Sequence, residues 1–215
     1  MKTCKASENQ TARRILLMAY VAALAVAFTG RADASGQRGH VTPPHVPANI
    51  EAPVGHKAYL LGHAVGTQNY VCMPSGAGFG WTFFGPQATL FDRHEKQITT
   101  HFLSSNPLEG GLARATWQHS ADTSSVWAMA TPATTSSDPA FVAPGAIPWL
   151  LLQVVGEQEG PDGGRKLTAT TYIQRVNTSG GIVPSTGCAA SADVGKKALV
   201  PYTADYFFYR YARHW

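Results

Sequence analysis

No catalytic spacing stands out in this sequence. H-x-H, H-E-x-x-H and C-x-x-C do not occur, which removes the common short-range zinc and redox arrangements. G-x-S-x-G is also absent, so no hydrolase nucleophile elbow is present. Gly76-Ala-Gly-Phe-Gly80 is glycine-rich but lacks the lysine and following helix of a phosphate-binding loop, and reads as a connection between strands. Charge of one sign is scarce beyond the amino terminus. Residues 1–34 hold five of the 17 Lys and Arg and two of the 13 Asp and Glu, leaving 12 against 11 in residues 35–215. Nucleic acid and anionic membrane surfaces are excluded as partners, because each needs a clustered basic face. The basic pairs Arg165-Lys166 and Lys196-Lys197 read as solvated turns.

Long apolar runs are confined to the start. Lys2, Lys5, Arg13 and Arg14 precede an uncharged run over 15–28, and Ala32-Asp-Ala34 follows. A positive segment, a short apolar segment and a small-x-small motif describe a signal peptide over 1–34, cleaved after Ala34. No membrane span is then left. Cysteine is scarce too: of three, Cys4 departs with the signal, and Cys72 and Cys188 are predicted to pair as one disulfide in a secreted or periplasmic protein. Residues 35–56, rich in Pro, Gly and His, read as a flexible leader.

Residues 57–215 carry what remains, enough for one domain with one core. Short β-branched and aromatic runs recur at 58–64, 66–72, 81–84, 88–92, 97–102, 113–118, 125–130, 149–155, 167–176 and 202–211, separated by Gly, Pro and polar turns. Gly85-Pro86 is expected to hinge two strands, 103–112 to be loop, and 189–199 to hold at most a short helix. The pattern predicts an all-β, single-domain antiparallel β-sandwich or barrel-like fold with many short strands.

Several blocks stand in a recognisable order: Phe84-Gly-Pro-Gln-Ala-Thr-Leu-Phe-Asp92, His101-Phe102, Ala115-Thr-Trp117, Ile147-Pro-Trp-Leu-Leu-Leu152, Ile173 to Gly181, Gly187-Cys188 and Pro201 to Phe208. The chain resembles a secreted "domain of unknown function" family found in bacteria and fungi. That resemblance implies a single exported domain containing the Cys pair, and brings no activity, cofactor or catalytic residue with it.

The candidate pocket residues are Asp92, His101, Trp117, His119 and Arg175. His94 and Glu95 could add metal ligands, but adjacent residues in a turn point apart, so structural roles are favoured over a metal site. Trp81, Trp117, Trp127, Tyr206 and Tyr209 could form a platform for a glycan or apolar ligand. Arg175, in an otherwise apolar strand, is expected to pair with Asp92 or Asp205. The function expected is a non-catalytic binding or structural role in the envelope or outside the cell, without a cofactor. Its partner would be a small molecule, glycan or envelope component. The alternative is an extracytoplasmic metal-dependent or hydrolytic enzyme built on His101, His119 and Asp92.

Overall fold

The computed structural model describes residues 41–212. The expected signal segment and residues 35–40 of the expected leader lie outside the described residues. Nine strands occur: β1 (His56–Ser75), β2 (Gly78–Phe91), β3 (Gln97–Asn106), β4 (Leu112–His119), β5 (Ser125–Met129), β6 (Thr135–Ser136), β7 (Trp149–Gln158), β8 (Tyr172–Gly180) and β9 (Lys197–Tyr211). Along the middle of β1, Gly62, Ala64, Gln68, Tyr70 and Cys72 are buried while the residues between them are less so. That period of two is the signature of a strand with one face inward.

The strands run in sequence as an antiparallel meander, and β9 returns to pair with β1 from Lys57↔Arg210 to Val71↔Lys197. β5 pairs with the second half of β7, and β6 pairs with the first half, at Thr135↔Leu150 and Ser136↔Trp149. The sheet is therefore a closed eight-stranded barrel with one short extra strand. A barrel leaves no long unpaired edge, and this settles the choice between sandwich and barrel.

Trp117, Leu90, Ile173, Tyr206 and Phe208 fill the interior together with Ala64, Ala88, Val126 and Leu152. Leu167, from the β7–β8 connection, is fully buried in this same cluster. Its N–H donates to Ser124 Oγ, and its carbonyl accepts from Thr170 Oγ1, which also bonds the Tyr59 hydroxyl. Ile147 joins the cluster too, held by a hydrogen bond from Thr178 Oγ1 to its carbonyl.

A second core lies on the outer face of β7, β8 and β9. Trp149, Leu151, Val176, Phe207 and Tyr209 pack there against Val46, Ile50 and Val142. Part of the stretch expected to be a flexible leader thus forms a strap. Ile50 is fully buried, and its carbonyl accepts from Gln174 Nε2. A tether has no buried apolar anchors; Val46 and Ile50 supply two, and this separates a strap from a leader.

Several boundaries differ from those the residues suggested. The runs 58–64 and 66–72 are one strand, because Gly66 lets β1 pass close to β2: a Cβ there would lie 2.1 Å from the Gln87 carbonyl oxygen. Residues 78–91 are also one strand. Gly85 and Pro86 stay in the ladder opposite Asn69 and Gln68, and the irregularity is the unpaired Phe84 beside them, between Asn69↔Gly85 and Tyr70↔Phe83, rather than a break. The expected loop is confined to 107–111, which holds a 3-10 turn at Pro107–Glu109, while 103–106 belong to β3 and pair with β4 through to Asn106↔Leu112. Within 189–199 the only helical element is a 3-10 turn, Ser191–Asp193, and β9 begins at Lys197.

One irregularity matters for function. β2 pairs with β3 only from Ala88↔His101 to Phe91↔Gln97. Beyond that point β2 follows β1 alone and β3 follows β4 alone. Pro86 has no N–H to give a neighbour, and Gly85 has a φ of +138°, which side chains rarely tolerate. The two strands part where the ladder loses both regular geometry and a donor.

Candidate binding cleft

A cleft of about 880 Å3 opens where β2 and β3 diverge. Its lining comes from both sides of the barrel wall: Val65, Thr67, Thr89 and Thr100 alternate along their strands with the inward-facing Ala88 and His101. The cleft therefore enters the wall rather than resting on it. Its volume lies within the range of small-molecule sites, roughly 300–1,000 Å3. Large apolar side chains stand exposed around it, with Phe84 60%, Val65 59%, Leu199 59% and Leu103 38% accessible. The polar lining is Thr67, Asn69, Gln87, Thr89 and Thr100, and no Asp, Glu, Lys or Arg lines the cleft.

His101 is the one titratable residue in the lining, and it is 3% exposed. Its Nδ1 donates to the Thr116 carbonyl at 2.9 Å, which leaves Nε2 as a lone-pair acceptor. The Trp117 ring stacks on it at 4.0 Å and 9°, and Tyr206 meets it edge-on at 5.2 Å. Burial pushes the imidazole down to about 3, the Arg175 charge adding to the effect and the Thr116 bond opposing it. His101 is thus a neutral acceptor at ordinary pH.

Around it the interior holds sealed polar atoms without partners: Thr99 Oγ1, Gln68 Nε2 and Trp117 Nε1. Thr99 is two residues before His101 on β3, and Trp117 is its register partner on β4. Gln68 stands beside Tyr202 close enough to act on its hydroxyl, yet makes no well-formed bond to it.

The remaining candidates part company. Arg175 faces the interior, in register with Tyr206, and its charge acts on His101, Tyr70 and Tyr202. It pairs with neither Asp92 nor Asp205, as the sequence suggested. Instead its Nε and Nη2 donate to the Pro148 carbonyl at 3.2 and 2.9 Å. Asp205 is held by His63 and Asn177. Asp92 sits in the exposed β2–β3 turn, where its carboxylate accepts from the His94 and Lys96 N–H groups, and these bonds hold its pKa down. His119 lies two residues beyond Trp117 on β4, its Nδ1 accepting from the Ala121 N–H and lying 3.4 Å from Asp122 Oδ1. His101, Trp117 and the field of Arg175 converge; Asp92 does not join them. Among the described residues, no three His, Cys, Asp or Glu side chains could hold a metal ion together.

A family model with the description "Protein of unknown function (DUF3455)" matches residues 53–210. The chain belongs to this family. The match runs from just before β1 to the last residue but one of β9, so the whole cleft lies within the DUF3455 region and the strap up to Ala52 lies outside it. No curated protein and no solved structure matches the chain.

The tryptophan platform does not form in this DUF3455 domain. Trp117, Trp127 and Trp149 are buried, as are Tyr206 and Tyr209, and Trp81 is half-buried with its Nε1 donating to the Thr186 carbonyl. Among the described residues Phe83, Phe84 and Tyr211 are exposed rings instead, and of these Phe84 lines the cleft. The sequence carried half a signal for the two phenylalanines: of two adjacent residues in a strand one faces outward, and Phe84, unpaired at the register shift, is exposed as well as Phe83. Val65, Leu103 and Leu199 gave no such signal, because they become neighbours only when the barrel closes.

Proposed function

We propose that this domain is an exported, non-catalytic binding protein whose site is the cleft between β2 and β3. The observation that carries the reading is the coincidence of a ligand-sized opening in the barrel wall with an exposed apolar rim of Val65, Phe84, Leu103 and Leu199. Apolar groups gathered around a concave site mark a place where another molecule removes them from water. The lining has no carboxylate or second base beside His101, so it offers no acid–base pair for chemistry. Export is supported by the amino-terminal pattern and by the Cys72–Cys188 disulfide. Among the described residues no helix is long and apolar enough to cross a membrane.

The test is titration of the mature protein with the neutral dye N-phenyl-1-naphthylamine. Fluorescence should rise saturably in the native protein. Phe84→Asp should weaken binding at least tenfold, while Val54→Asp, at a fully exposed position outside the cleft, should leave it unchanged. Binding unaffected by Phe84→Asp would overturn the assignment. Export is checked separately by intact mass: secreted protein should begin at Ser35.

A further inference from the structure

We propose that the cleft selects an uncharged alcohol, its hydroxyl donating to His101 Nε2 and accepting from the uncharged polar side chains of the lining while its apolar body lies against Val65, Phe84, Leu103 and Leu199. This rests on the reading of the cleft as a binding site and specifies the chemistry of its ligand.

The argument starts from donors and acceptors. His101 uses Nδ1 on the Thr116 carbonyl, so Nε2 presents a lone pair, and no described residue bonds to it. Buried polar groups without partners are rare in folded proteins and call for an explanation. Asn69 and Gln87 in the same lining carry amide N–H donors with no partner among the described residues. A hydroxyl donates once and accepts twice, so one such group can serve His101 and an idle donor together. A carboxylate only accepts, and its charge would face the imidazole lone pair. An ammonium only donates, and no carboxylate of the lining would pair its charge.

The lining points the same way. An ion inside this cleft meets no opposite charge in the walls, which are apolar or carry uncharged Thr, Asn and Gln side chains; the Lys197 ammonium lies over the Phe84 ring at 5.6 Å and is not part of the lining. Moving an ion out of water into such surroundings is unfavourable unless it is paired. Arg175 does not supply the pairing, since it lies outside the cleft lining and two of its nitrogens are engaged by the Pro148 carbonyl.

The experiment displaces N-phenyl-1-naphthylamine from the mature, disulfide-bonded protein with 1-dodecanol, dodecanoate or dodecane at pH 7.4. Dodecanol should displace the dye at concentrations at least tenfold below either of the others. His101→Phe keeps a ring to stack on Trp117 and removes the acceptor, so it should erase the advantage of alcohol over alkane. His101→Gln, which restores an acceptor, should recover part of it. Dodecanoate binding as well as dodecanol, or an unchanged preference in His101→Phe, overturns the inference and leaves the cleft reading standing. Failure of the dye to bind the native protein removes both. The ranking of the three ligands on the native protein decides the matter even where a variant does not fold.

Discussion

His101 shows how one side chain couples stability to pH in this domain. Burial holds its imidazole neutral, with a pKa near 3 against 6.5 when unburied. Below about pH 6.5 the unfolded chain takes up a proton at this site and the folded protein does not. Stability is therefore full above that pH and falls as pH drops toward 3, by about 1.4 kcal/mol per pH unit. Glu109 and Asp193, each held down to about 2 by charged and hydrogen-bonding neighbours, act below the His101 window. Their stabilisation is lost only as pH falls below the ordinary carboxylate range. Urea midpoints measured from pH 7 to pH 5 should therefore decline in the native protein, and His101→Phe should flatten the decline. An equally steep slope in the variant would show that other groups cause it. Gly66 is the second position where one residue decides. Its missing side chain is what lets β1 cross β2, so Gly66→Ala should lower stability by about 3 kcal/mol, read as a shifted urea midpoint.

Among the elements, the β1–β2 hairpin depends on what holds its far end. Cys72 is bonded to Cys188 across a separation of 116 residues. The same point is tied by Cys72 N–H to the Lys196 carbonyl, by Gly195 N–H to the Cys72 carbonyl, and by Trp81 to Thr186. The hairpin is thereby fastened to the β8–β9 connection while its β2 side stands away from β3. Closing so long a loop stabilises the chain by roughly 4–5 kcal/mol in the chain-entropy model. Replacing both cysteines by alanine should lower Tm by about 10 °C, using 2–4 °C per kcal/mol for a domain of this size. The hydrogen bonds should keep the hairpin in place, so the far-ultraviolet spectrum at 20 °C should be unchanged. Loss of β signal there would mean that the disulfide holds the barrel itself together.

At the scale of the molecule, two cores share one wall. The interior core fixes the barrel, and the outer core of Trp149, Leu151, Val176, Phe207 and Tyr209 needs the strap to cover it. Ile50 is the strap's deepest anchor, and Ile50→Ala should cost about 3 kcal/mol by the usual cost of emptying a buried aliphatic site. Chemical denaturation against Val54→Ala, whose side chain is fully exposed, checks this; equal stabilities would show a strap that rests on the barrel without supporting it. Because the strap lies on β7, β8 and β9 and the cleft lies at β2 and β3, Ile50→Ala should leave dye binding unchanged wherever the protein is folded.

The sequence by itself determined the class of fold and the disulfide. Alternation along β1 and β4, turn residues at regular intervals and the Cys72 and Cys188 pair are local facts, and local sterics and composition decide them. His101 and Trp117 were legible as candidates because a histidine and a tryptophan in apolar strands stand out. What they face was not legible. Asp92 stood among the candidates as the carboxylate that could join His101 and His119, but it lies in an exposed turn where its Oδ1 accepts from two N–H groups of that turn. Only closure of the barrel, through β1 on β9 and β5 on β7, set Val65 and Leu199 beside Phe84 and Leu103. The tertiary structure decided the cleft for a physical reason: it exists where β2 and β3 stop pairing beyond Ala88↔His101, and its walls are completed by Val65 of β1 and Leu199 of β9.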